Sequence, residues 1–174
     1  MSMSLTEAEI FDILSQRMSK SNIIEILNWT KQSNVNLHTI YNYVASDATK
    51  VAANALWVLT WDKQNKHIYI RESLISFVFT SKNVTIRRHS LTLLYRMPWS
   101  PNEIRADLIN FCMSHFLSET ETPGIRALCI KLCYSLCQHY PELIHELKLA
   151  LQIISSATTP PAVISAKKYI LQKK

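Results

Sequence analysis

The stretch VAANALWV at residues 51–58 returns as IRRHSLTL at 86–93, IRALCIKL at 125–132 and ISAKKYIL at 164–171. Successive starts lie 35, 39 and 39 residues apart. That is the period of a helical solenoid, in which each two-helix unit hides on its neighbours an apolar stripe it cannot bury alone. The chain therefore reads as all-α, and any function must come from the surface that the stacked units present.

Composition supports this reading. There is one glycine in 174 residues, against an average of about 7%. Glycine-rich phosphate loops of the Walker or Rossmann type are thereby excluded, and hairpin-rich sheets are disfavoured. The 48% apolar share is ample for one core, and the length suits a single domain over residues 1–174. No apolar run approaches the roughly 18 residues that span a bilayer. The start, MSMSLTEAEI, lacks the basic and apolar blocks of a signal peptide, so a cytoplasmic protein without membrane contact is expected.

Working outward from the repeats, periodicity and punctuation divide the chain into helix pairs. Ser4 and Glu7 suggest a capping box before EAEIFDILSQRM, and SNIIEILNWTKQ follows Ser19 and Lys20. These two form an expected N-terminal capping hairpin over 1–35. Four pairs follow over 36–174: NLHTIYNYV with TKVAANALWVLTW, KHIYIRESLISFVF with VTIRRHSLTLLYRM, NEIRADLINFCMSHFL with GIRALCIKLCYSLC, and ELIHELKLALQII with AVISAKKYILQK. Pro101, Pro123, Pro141 and Pro160 mark helix starts, where a missing N–H costs nothing.

The second helix of each pair opens on an aliphatic residue, often with Arg next, as in Ile86-Arg87 and Ile125-Arg126. In this it resembles the HEAT and armadillo-type repeat family, from about residue 36 to the C-terminus. The resemblance implies a right-handed α-solenoid of about five helical hairpins, with first helices on the convex surface and second helices lining a concave, partner-binding one. It also implies a contact between neighbouring units for Arg87 and Arg126. Lys168 stands where the other repeats have Ala55, Ser90 and Cys129, so the last pair reads as a terminal cap.

Counted from each repeat's first aliphatic residue as zero, core-type residues fall at offsets 0, 4, 5, 7 and 8. Offsets 2, 3, 6, 9 and 10 point away from that stripe. This outward set includes Trp57, Thr60 and Trp61, then Arg88, His89, Thr92, Tyr95 and Arg96, then Lys131 and Tyr134; Lys50 projects nearby. No Asp or Glu occurs within 48–61, 84–97, 124–138 or 160–174, although the chain has 13 acids. The same segments hold Lys50, Arg87, Arg88, Arg96, Arg126, Lys131, Lys167, Lys168, Lys173 and Lys174. The net charge of +6 is thus segregated onto the second helices.

Catalytic and metal chemistry find little support. Cys129, Cys133 and Cys137 share a helix face, but the outer two lie roughly 12 Å apart along the axis, too far to hold one zinc. Cys129 and Cys133 offer half a site, with Cys112 or His139 as outside candidates, yet without CxxC spacing the cysteines read as small core residues. His38, His67, His89, His115, His139 and His145 are scattered; His115 and His145 have carboxylates nearby in sequence. HEAT-like alkylpurine DNA glycosylases are similar in carrying bases and tryptophans on a concave surface, but they also need a catalytic aspartate. Only Asp62, beyond Trp61, is near. No catalytic residue, metal or cofactor is assigned.

The reading that remains is a non-enzymatic scaffold binding an acidic or amphipathic protein segment through Lys50, Trp57, Trp61, Arg88, Tyr95, Arg96 and Lys131. The second reading is nucleic-acid binding through phosphate neutralisation.

Overall fold

The computed structural model describes residues 5–63 and 67–173. Ser4, Lys66 and Lys174 lie outside the described residues. Ten α-helices are present among the described residues: α1 (Glu7–Ser15), α2 (Lys20–Thr30), α3 (Asn34–Val44), α4 (Thr49–Trp61), α5 (Arg71–Thr80), α6 (Val84–Arg96), α7 (Ala106–Leu117), α8 (Pro123–Cys137), α9 (Pro141–Ile153) and α10 (Pro161–Leu171). The chain is an α-solenoid.

Local chemistry explains most boundaries. The Thr6 and Glu9 side chains bond each other's backbone N–H groups to start α1, so the capping box sits two residues beyond the expected one. Ser19 and Asn22 do the same for α2. Pro123 and Pro141 occupy the first positions of α8 and α9. Two prolines depart from expectation. Pro101 opens a 3₁₀ turn, Pro101–Glu103, and α7 begins only after an extended pair, Ile104 and Arg105. Pro160 is the N-cap of α10 and Pro161 its first residue. Before α5, His67 takes a left-handed φ of 49°, a conformation histidine adopts more readily than most residues. The chain then enters a 3₁₀ turn, Ile68–Ile70.

The expected core register holds in three repeats. Val51, Ala55, Leu56, Val58 and Leu59 are buried, as are Ile86, Ser90, Leu91, Leu93 and Leu94, and Ile125, Cys129, Ile130, Leu132 and Cys133. In α10 it shifts. Val163, Ala166 and Ile170 are buried while Ile164 is only half-buried, so the stripe starts one residue earlier than the motif indicates.

The inner helices form one continuous row: α4 packs on α6, α6 on α8 and α8 on α10. Helices α3, α5, α7 and α9 lie behind them, chiefly against their own partners or α8. The two N-terminal helices pack more on their neighbours than on each other. α1 packs on α4, and α2 packs on α3 and α4. α1 thus takes the place of an inner helix ahead of α4. A bond that periodicity does not reveal fastens it there: the Asn54 amide donates to the carbonyls of Leu14 at 2.8 Å and Gln16 at 3.0 Å, satisfying the C-terminal end of α1.

Candidate interaction surface on the inner helices

The outward residues divide by angle. At about 100° per residue, offsets 2 and 9 fall on one flank, 3 and 10 on the other, and 6 between them. The contacts follow this division. At offset 2, Arg88 runs forward along the start of α8, its Cδ 3.9 Å from where a Cβ on Gly124 would lie. At offset 10, Arg96 turns back and donates to the Thr60 carbonyl near the end of α4. Asn54 at offset 3 turns back to α1. Trp61 at offset 10 meets Lys20, whose Nζ lies 5.7 Å from its ring centroid.

His89, also at offset 3, lies on the flank facing α4 and is buried, which corrects its expected outward placement. Burial, reinforced by the charge of Arg88, lowers its pKa to about 4.

The basic residues of the inner helices fall into two groups. Four are fastened. Arg87 Nη1 pairs with Glu121 Oε2 at 3.4 Å, bridging α6 to the loop before α8 as the expected contact between units. Arg126 is buried and its Nε donates to the Phe116 carbonyl at 3.0 Å. That contact lies within its own helix pair, α7 and α8, rather than between units. Arg96 braces α4, and Lys167 Nζ donates to the Ile154 carbonyl at 2.7 Å, closing the C-terminus of α9.

The second group faces outward without a carboxylate. Lys50, Arg88 and Lys168 are exposed and form no ion pair among the described residues. Lys131 Nζ stands 5.9 Å from the centroid of the Tyr95 ring. Lys173 Nζ stands 4.6 Å from that of Tyr169 and 4.8 Å from that of Tyr134. Hydrogen bonding with Tyr169 raises the Lys173 pKa above the ordinary lysine value. These cations lie against negative ring faces, and neither forms an ion pair among the described residues.

The seven expected site residues therefore separate. Arg88, Tyr95 and Lys131 share the forward part of the face over α6 and α8. Arg96 serves as a brace. Trp57 is half-buried and packed against the core, Trp61 faces Lys20, and Lys50 stands alone at the start of α4. Tyr134, Tyr169 and Lys173 join the group instead. Tyr169 was hidden by the register shift in α10, while Lys173 was visible only as one base among ten.

The other chemical candidates are absorbed by the fold. All four cysteines are buried. Hydrogen bonding with Cys129, together with burial, pushes the Cys112 thiol up; bonding with Cys137 and burial do the same for Cys133. Among the described residues no group of three His, Cys, Asp or Glu side chains converges as a metal site. His139 Nε2 is bonded to the Trp99 carbonyl at 3.0 Å. His115 bonds the Phe111 carbonyl at 2.8 Å rather than a carboxylate. Asp62 caps the end of α4 and lines a cleft with Lys31, Gln32 and Ser33. Among the described residues no helix is long and apolar enough to cross a membrane.

An α-solenoid whose inner helices carry unpaired bases among tyrosines belongs with the helical-repeat scaffolds. The chain is a member of the HEAT repeat domain family, which matches it over residues 10–174. No curated protein and no solved structure matches it.

Proposed function

We propose that this HEAT repeat protein is a non-enzymatic scaffold that binds an acidic segment of a partner protein across the inner faces of α6, α8 and α10. One observation carries the reading. Lys131 and Lys173 are held on tyrosine rings with no carboxylate partner among the described residues, while other bases of the same helices are fastened within the fold. Tyrosine is a residue type that contributes strongly at protein interfaces, and the uncompensated charge favours an acidic ligand. Four buried free thiols suit a reducing compartment, and the cytoplasm is the proposed location.

The test is a titration of the protein with a fluorescent acidic peptide and, separately, with random-sequence duplex and single-stranded DNA, at about 50 and 200 mM salt. Peptide binding that disappears in Arg88→Glu/Lys131→Glu supports the scaffold. DNA binding that falls steeply with salt, with no peptide binding, replaces it with the nucleic-acid reading.

A further inference from the structure

Where α10 meets α6 and α8, the inner face opens into a cavity of about 490 Å³. Its lining is unusual for this face because it is made of small residues. Ala127 of α8 and Ala166 of α10 are buried at its base, and Ala162 and Ser165 are exposed along its edge. Tyr95 of α6 and Tyr169 of α10 line it as well, with Lys131.

Small side chains at four positions leave room that larger ones would occupy, and the tyrosines make the enclosed surface predominantly apolar. Such recesses accept apolar groups, while a few polar groups at the edge fix orientation. Here the polar groups are cations. Lys131 lies against Tyr95, and Lys173 against Tyr169, so both ammonium groups sit beside tyrosines that line the opening.

We propose that this slot takes one large apolar side chain of the acidic partner segment, and that carboxylates flanking that side chain meet Lys131 and Lys173. The inference rests on the scaffold reading above and adds the anchor to it. On α8 the charge comes from offset 6, in the middle of the outward face, through Lys131, and the recess from offset 2, on the forward flank, through Ala127. One extended segment therefore meets both within a single helical turn.

Two acidic peptides, identical except for a central phenylalanine or alanine, test the slot by fluorescence anisotropy against the full chain. The phenylalanine peptide is expected to bind about tenfold more tightly, as filling a pocket with an anchor side chain does. Ser165→Leu, and independently Ala162→Leu, should fill the slot and erase that preference while leaving the alanine peptide's affinity unchanged. Retained affinity for the alanine peptide also shows that each variant is folded. Equal affinities for the two peptides on the wild-type protein overturn the slot but leave the charge-based scaffold standing. A preference that survives in both leucine variants overturns it too, by placing the anchor elsewhere. Absence of binding by either peptide overturns the scaffold and the slot together.

Discussion

The Asn54 side chain in α4 donates to the Leu14 carbonyl at 2.8 Å, joining residues 40 positions apart. With the companion bond to Gln16 at 3.0 Å, it makes the end of α1 a partner of the inner row. Asn54→Ala removes both bonds and leaves two carbonyls of the α1 terminus without their donor. A loss of about 1–2 kcal/mol is expected in urea unfolding. Amide exchange should quicken first in α1, with α8 least affected. Uniform loosening of both helices would contradict this placement of α1.

Arg126 is 5% exposed, and its Nε reaches the Phe116 carbonyl at 3.0 Å. Replacing it with methionine keeps much of the stem but abandons that carbonyl, at an expected cost of about 1–3 kcal/mol. Arg126→Lys should recover little, because an ammonium at the end of a flexible stem cannot reproduce the guanidinium geometry. Full stability of the lysine variant would show that charge alone matters there.

Gly124 is the second residue of α8, and a Cβ added to it would meet only Arg88 Cδ, at 3.9 Å. That is ordinary contact, so nothing in the fold requires glycine here. Gly124→Ala should stabilise the protein by about 0.5–1 kcal/mol through reduced backbone entropy of the unfolded chain. Thermal unfolding reads this directly, and a lower melting temperature would mean that Arg88 cannot move aside.

His89 is 7% exposed and its pKa is depressed from 6.5 to about 4, first by burial and then by Arg88. The unfolded chain therefore binds a proton that the folded one refuses between those values. Stability is fully present above pH 6.5 and falls as pH drops toward 4, by about 3 kcal/mol at most. Burial lowers the pKa of His67 as well, adding a loss of the same sign. In His89→Gln the decline between pH 6.5 and 4.5 should be shallower. An unchanged slope would remove His89 from the acid response.

The repeat motif at residues 51, 86, 125 and 164 was enough to read the solenoid, because each recurrence is a buried stripe that only a stacked neighbour can cover. It also indicated the outward offsets, although His89 and Ala127 at two of them are buried. It did not show that the outward set has two flanks with different duties. Arg88 and Arg96 share a helix and a charge, yet Arg96 reaches back to the Thr60 carbonyl of α4, the preceding helix of the inner row, while Arg88 extends toward α8.

By itself, the sequence determined the helix pairs from α3 onward, the core register of α4, α6 and α8, and the concentration of bases on the inner helices. These depend on properties that repeat along the chain: residue size, polarity and spacing. Tertiary structure alone decided that α1 joins the inner row, that the buried stripe of α10 begins at Val163, and that Lys131 and Lys173 lie beside Tyr95 and Tyr169. Those outcomes depend on contacts between distant segments. A side chain's angle about its own helix tells where it points, but the neighbouring helix determines what it meets there.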